Sequence, residues 1–261
     1  MGTTRQPAVA GTFYPADPDE LQSAVDGFLR AARTDQPAPR AMIVPHAGYI
    51  YSGPVAASGY ARLLNREIPV RRVVLLGPAH RVPFRGIAAT SAASFSTPLG
   101  DIAIDRTAVD RLSELSQVHV LEEAHRLEHS LEVQLPFLQR TLGDFLLVPL
   151  VVGDATPEEI SEVLEILWSG PDTLVIVSSD LSHYHNYDTA RRLDRVTSRN
   201  IESLDYRAIE YDHACGRNPV NGLLFYARMH GMSAATLDLR SSGDTAGPRD
   251  QVVGYGTYVF T

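Results

Sequence analysis

The chain has 261 residues, 44% hydrophobic and 21% charged, with a formal net charge of −8. That is ordinary globular composition in a chain long enough to bury a large core without disulfide staples. The acidic balance argues against a nucleic-acid partner, and no apolar run approaches the ~18 residues of a membrane span.

In chain order, Met1-Gly2-Thr3-Thr4-Arg5-Gln6-Pro7 lacks the apolar core of a signal peptide. The expected location is cytoplasmic, with the single cysteine, Cys215, kept reduced. Asp17 to Arg33 reads as an amphipathic helix opened by Asp and Pro. Gln36-Pro37-Ala38-Pro39 joins it to Ala41–Val44, a short apolar run of the kind buried on both faces of a sheet. A helix is expected from Pro54 to Arg66. A second buried strand spans Arg71 to Leu76 and stops at Gly77-Pro78. Gly86 to Ile104 reads as two short strands joined by a loop. Glu122, Glu123 and His125 read as a solvated charged turn. Ser130 to Leu142 is a helix with Leu131, Leu135, Leu138 and Leu142 on one face. Phe145 to Val152 is a third buried strand, ended by Gly153-Asp154. Thr156-Pro157-Glu158-Glu159 opens another helix, with Thr156 as cap and two acids near the positive end of the dipole. Thr173 to Val177 is a fourth buried strand, ended by Ser178-Ser179-Asp180. Helices from Asp188 to Leu204 and Pro219 to His230 follow, then strands from Met232 to Leu239 and Val252 to Phe260, with a surface loop, Ser241 to Asp250, between them. The alternation predicts one α/β domain over residues 1–261, with a central, mostly parallel or mixed sheet flanked by helices on both faces.

Open α/β sheets bind ligands beyond the carboxyl ends of their strands. His46 follows the first buried strand by two residues, and His80 follows the second by four. Asp180 and His183 follow the fourth by three and six. Three strands therefore deliver His, His and Asp/His to one edge, provided they are parallel neighbours. Cys215 lies before Asn218-Pro219, read as a helix cap and first residue, where the dipole favours a thiolate. It is inert core, a reactive thiol or a metal ligand, and its polar neighbours Asp212, His213, Arg217 and Asn218 count against core. Two imidazoles and a thiolate suit zinc, copper or iron better than magnesium or calcium, and they leave a position open. Glu128 and His129 stand near a helix start, and Tyr49 either lines a pocket beside His46 or packs. Gly-x-Ser-x-Gly, Walker and His-Glu-x-x-His signatures are absent.

Several blocks in order resemble the Memo family, protein B of the AmmeMemoRadiSam group. They are Ala10-Gly11-Thr12-Phe13-Tyr14-Pro15, Pro45-His46-Ala47-Gly48-Tyr49, Gly77-Pro78-Ala79-His80, Glu128-His129-Ser130-Leu131-Glu132, Ser178-Ser179-Asp180-Leu181-Ser182-His183 and Cys215-Gly216. The resemblance implies the fold of class III extradiol dioxygenase catalytic subunits, which bind non-haem iron through two histidines and a glutamate. It implies metal ligands at His46, His80 and Cys215, cysteine standing in for the glutamate. It implies proton transfer by His183 with Asp180 beside it, and a substrate-proximal pair, Glu128 and His129. The thiolate makes the site softer, more tolerant of copper and open to oxidation, which argues against carrying ring cleavage over directly.

The expectation is one divalent transition metal, iron or copper first and zinc as an alternative, doing redox or oxygen chemistry on a small-molecule or peptide substrate. Alternatives are a non-catalytic metal- or peptide-binding protein, and a zinc- or thiol-dependent hydrolase or transferase. The group's name implies a pathway link to AMMECR-type and radical SAM proteins.

Overall fold

Residues 2–261 are described by a computed structural model. The strands are β1 (Thr4–Arg5), β2 (Ala41–Val44), β3 (Arg72–Pro78), β4 (Ile87–Ala89), β5 (Ser94–Thr97), β6 (Gly100–Ala103), β7 (Val118–Val120), β8 (Leu146–Val152), β9 (Thr173–Ser178), β10 (His183–His185), β11 (Ala234–Ser241) and β12 (Val252–Phe260). The helices are α1 (Pro18–Ala31), α2 (Tyr49–Leu63), α3 (Arg106–Arg111), α4 (Glu122–Arg126), α5 (Leu135–Leu142), α6 (Pro157–Leu167), α7 (Tyr187–Glu202), α8 (Arg217–Met229) and α9 (Ser242–Thr245).

The main sheet runs β10-β12-β2-β9-β3-β8-β4-β7, with β11 also paired to β12; β1, β5 and β6 form a small second sheet. β2, β9, β3 and β8 are parallel neighbours. β12 joins β2, and β4 joins β8, antiparallel. The sheet is therefore mixed, with a parallel centre. Successive residues of β2 and β9 are all buried, so side chains pointing to either face meet cover. α1, α2 and α5 pack together, α2 also against β2 and β12; α6 and α8 pack on each other, α8 also against β3 and β9. The α/β expectation holds, with flanking helices around a mixed sheet.

Local chemistry sets the helix ends. The Asp17 carboxylate accepts from the Asp19 and Glu20 backbone N–H groups, both at 3.0 Å. Thr156 and Glu159 form a reciprocal capping box at the start of α6.

Several boundaries differ from the sequence reading. α2 starts at Tyr49, five residues before Pro54, because the chain turns at Gly48 and the Tyr49 N–H donates to the Phe13 carbonyl at 2.8 Å. Pro54, inside the helix, has no N–H to give the carbonyl of Ile50, a residue at the exposed start of α2. α8 begins at Arg217, not Pro219; Asn218 is no cap, and its amide donates to the Gly153 carbonyl at 2.8 Å. Gly86 to Ile104 holds three strands, the first in the main sheet and the others in the small one. The loop after Ser241 contains α9, capped by Ser241 and Asp244. Ser130 to Leu142 includes a 3-10 turn at Glu132–Gln134 before α5. His125 is not solvated: it is buried, with Nε2 donating to the Ala88 carbonyl at 3.0 Å.

Candidate metal centre

β9 lies between β2 and β3, so the chain leaves all three strands at one edge of the sheet. His46 stands two residues beyond β2, and His80 two beyond β3. Cys215 reaches the same place from the loop before α8. One donor atom each from His46, His80 and Cys215 lie within 4.8 Å of one another. Cys215 Sγ is 3.3 Å from His46 Nε2, and the His46 and His80 ring centroids are 5.2 Å apart. Tetrahedral coordination at ordinary metal–nitrogen and metal–sulfur lengths puts nitrogen and sulfur roughly 3.5 Å apart. The donor set therefore fits one transition ion with little movement.

Each donor is held by its surroundings. His46 is buried; its backbone N–H donates to Asp180 Oδ1 at 2.7 Å, and its Nδ1 meets Ser178 Oγ at 2.9 Å. Burial and the neighbouring His80 hold its imidazole well below the usual histidine range. His80 is more open, with its side chain 28% exposed; its Nδ1 meets Glu128 Oε1 at 2.8 Å. Glu128 also accepts from the backbone N–H groups of His80, His129 and Ser130, at 2.6, 3.0 and 2.9 Å. Burial opposes its charge, but these bonds outweigh it and hold the carboxyl down at about 2.

The Cys215 sulfur accepts from the Asp180 N–H at 3.3 Å. Burial first, then the Asp180 carboxylate, push its thiol up. The expected thiolate before a helix is thus not the resting form; a cation must displace the proton. The sulfur sits close to β9 because Gly216 has no side chain: a Cβ there would lie 2.7 Å from Ser179 Cβ and 2.9 Å from the Ser178 carbonyl.

Asp180 and His183 are brought to the site but not to each other by hydrogen bonding. Asp180 faces the His46 backbone, and burial raises its carboxyl. His183 Nδ1 donates to the Leu181 carbonyl at 2.8 Å. The carbonyl, not Asp180, orients that ring, which leaves Nε2 as its basic nitrogen. His129 completes a histidine cluster: its ring stacks on His80 at 4.7 Å and meets His46 at 5.5 Å. Burial lowers its imidazole to about 4. Tyr49 lies in the core, not in the cleft; its ring packs on Phe137 and its hydroxyl donates to the Val133 carbonyl at 2.7 Å.

Two adjoining depressions, of about 300 and 630 Å³, share Pro78, Ala79, Tyr211 and Cys215 and open onto this cluster. His80, His183, Tyr184 and His185 line the larger. A bulge between His183 and His185, with Tyr184 at φ 61°, lets all three consecutive side chains border the cleft. Tyr184 and Tyr211 are exposed, at 71% and 75%. A larger depression, about 740 Å³, lies around Arg71, Gln139 and Leu146; among the described residues it is lined by the carboxylates of Asp101 and Asp144 and by no histidine or cysteine.

Sequence reasoning missed Ser178, Tyr184, Tyr211 and Gln134. Ser178 ends a strand that is apolar from Leu174 to Val177, a polar residue where the chain enters the site; that signal was available. The bulge left none, because it arises from pairing with β12.

A family model described as Memo-like protein matches residues 5–259. A MEMO1 family protein of Saccharolobus solfataricus is 37% identical over 277 residues, covering 96% of this chain and 97% of that one. A MEMO1 family protein of Aquifex aeolicus is 38% identical over 267 residues, covering 98% of each. Among solved structures, an uncharacterized protein of Escherichia coli K12 superposes with a TM-score of 0.55 over 84% of this chain and 98% of that one. At 14% identity that likeness establishes the fold alone.

Proposed function

The chain belongs to the Memo-like family, and from that premise we propose that it is a metal-dependent redox protein. His46, His80 and Cys215 hold one divalent transition ion, iron or copper, and the substrate reaches it through the cleft bordered by His183, Tyr184 and Tyr211. The observation that carries this reading is the convergence within 4.8 Å of two imidazoles that follow the parallel strands β2 and β3 and one thiol from the loop before α8. An ion held there by His46, His80 and Cys215 would supply redox and Lewis-acid chemistry.

The protein's own groups set the conditions. The Cys215 thiolate and the Glu128 carboxylate together balance a divalent charge in a partly buried site. His46 and His80 contribute neutral rings. His183 Nε2 takes a proton from substrate or returns it, held by the Leu181 carbonyl. Asp180 fixes the backbone at His46 and keeps that ring in place. His129 covers one flank of the site, its ring against those of His80 and His46.

The test is anaerobic purification with metal analysis of wild type, His46→Ala and Cys215→Ser, then exposure to O₂ with a catechol panel. Stoichiometric metal in the wild type alone, with sustained oxygen consumption lost in His183→Ala, supports the proposal. Equal, negligible metal in all three rejects it.

A thiol-based transferase is the second reading, favoured by the 3.3 Å contact between Cys215 Sγ and His46 Nε2. The same burial that raises the thiol opposes it. Turnover retained without metal and without oxygen would select it.

A further inference from the structure

The His46 ring is tied to a closed chain of buried polar groups that ends inside the core. Tyr60 donates its hydroxyl proton to Gln134 Oε1 at 2.9 Å. Gln134 Nε2 donates to the Pro45 carbonyl at 2.9 Å and to Ser178 Oγ at 2.8 Å. Ser178 Oγ donates to the Ser130 carbonyl at 2.6 Å. Ser178, Ser130, Gln134 and Tyr60 are all buried.

Two members of this chain can only accept, and they decide the direction of every bond. The Pro45 carbonyl must receive a proton, so it faces the nitrogen of the Gln134 amide. The second amide proton then points at Ser178. The Ser130 carbonyl must also receive, and Ser178 has one hydroxyl proton to give it. Ser178 is left with acceptor capacity only, shared between Gln134 and His46 Nδ1 at 2.9 Å. His46 therefore has to donate from Nδ1. With that proton placed, Nε2 carries the lone pair, and Nε2 is the atom that faces Cys215 Sγ at 3.3 Å.

We propose that Ser178 and Gln134 are positioning residues that lock His46 as the Nδ1–H tautomer and so present its Nε2 lone pair to a metal. The inference rests on the metal-centre reading for its function, but the tautomer itself is a property of the metal-free protein. The two histidine ligands are then oriented by different chemistry: the partly exposed His80 by a carboxylate, and the buried His46 by a neutral hydroxyl and amide. A neutral orienter adds no second charge beside the buried ring. The opposite tautomer would set the bare Nδ1 of His46 against an oxygen with no proton left to offer, in a place water does not reach.

The experiment uses the full chain labelled with ¹⁵N-histidine, without metal, and long-range ¹H–¹⁵N correlation to read which ring nitrogen carries the proton. The expected result is a single His46 form with Nδ1 protonated. Ser178→Ala should give a mixture of tautomers, and Co(II) titration should show affinity about 10- to 100-fold weaker than wild type. Gln134→Leu should weaken Co(II) in the same direction, and Tyr60→Phe, at the far end, much less. A His46 protonated on Nε2 in the wild type overturns the proposal. So does Co(II) affinity unchanged in both Ser178→Ala and Gln134→Leu. Wild type that binds no Co(II) would instead overturn the metal-centre reading, with the nitrogen shifts still deciding the tautomer.

Discussion

The Glu128 carboxylate takes both N–H groups of His80, the backbone one at 2.6 Å and the ring Nδ1 at 2.8 Å. One acid thus fixes the position of the residue and the rotation of its imidazole, and leaves Nε2 toward Cys215 and His46. Glu128→Gln keeps the shape but offers one accepting oxygen where two are in use. Metal affinity should fall about 10- to 100-fold, measured by competition with a chelator of known strength. Unchanged affinity would mean that His80 is not a ligand.

Cys215 sets the pH dependence of metal binding. Its thiol is pushed up by burial and by Asp180, so the free site holds a protonated sulfur across the neutral range. Binding must release that proton, and affinity should rise about tenfold per pH unit from pH 6 to 8, from this residue alone. Cys215→Ser should flatten the slope and remove the sulfur-to-metal charge-transfer absorption of the Co(II) form. A slope that persists in the variant would place the released proton elsewhere.

Much of this arrangement is legible in the chain because short apolar runs mark the buried strands and turn residues mark their ends. Ala41–Val44, Arg71–Leu76 and Thr173–Val177 correspond to β2, β3 and β9, and their shared edge follows from their pairing. Directions of side chains are not legible in the same way. Asp180 and His183 are three apart between the end of β9 and the start of β10, yet one turns to the His46 backbone and the other to the Leu181 carbonyl. His125 reads as polar surface from its acidic neighbours, but its ring is drawn inward by the Ala88 carbonyl. Tyr49 sits beside His46 in sequence, and the start of α2 rotates it into the core instead.

Gly216 controls how near Cys215 comes to β9. A methyl group there would meet Ser179 Cβ at 2.7 Å and the Ser178 carbonyl at 2.9 Å, and a strand backbone at the sheet centre has nowhere to move. Gly216→Ala should cost about 1–3 kcal/mol in urea unfolding. It should also push the sulfur away from His46 and weaken Co(II) binding. Loss of stability with full Co(II) affinity would show that the start of α8 shifts without carrying Cys215.

His125 should give the protein an acid limb that is independent of metal. Its Nε2 donates to the Ala88 carbonyl, and its buried Nδ1 has no partner among the described residues. Burial lowers the imidazole to about 4, from an ordinary value of 6.5. Between those values the unfolded chain binds a proton that the folded chain refuses, so stability is complete above pH 6.5 and falls as the pH drops toward 4. The full loss is roughly 3 kcal/mol. Asp194 works the other way in an overlapping window, because burial raises its carboxyl to about 6. The difference between wild type and His125→Gln therefore isolates the histidine, since glutamine keeps a donor for the Ala88 carbonyl and does not titrate. Urea unfolding of both proteins at intervals from pH 4 to 7.5 should show the gap between them changing by roughly that amount, most steeply between pH 4.5 and 6. A constant gap would mean that His125 takes up its proton in the folded protein as readily as in the unfolded one.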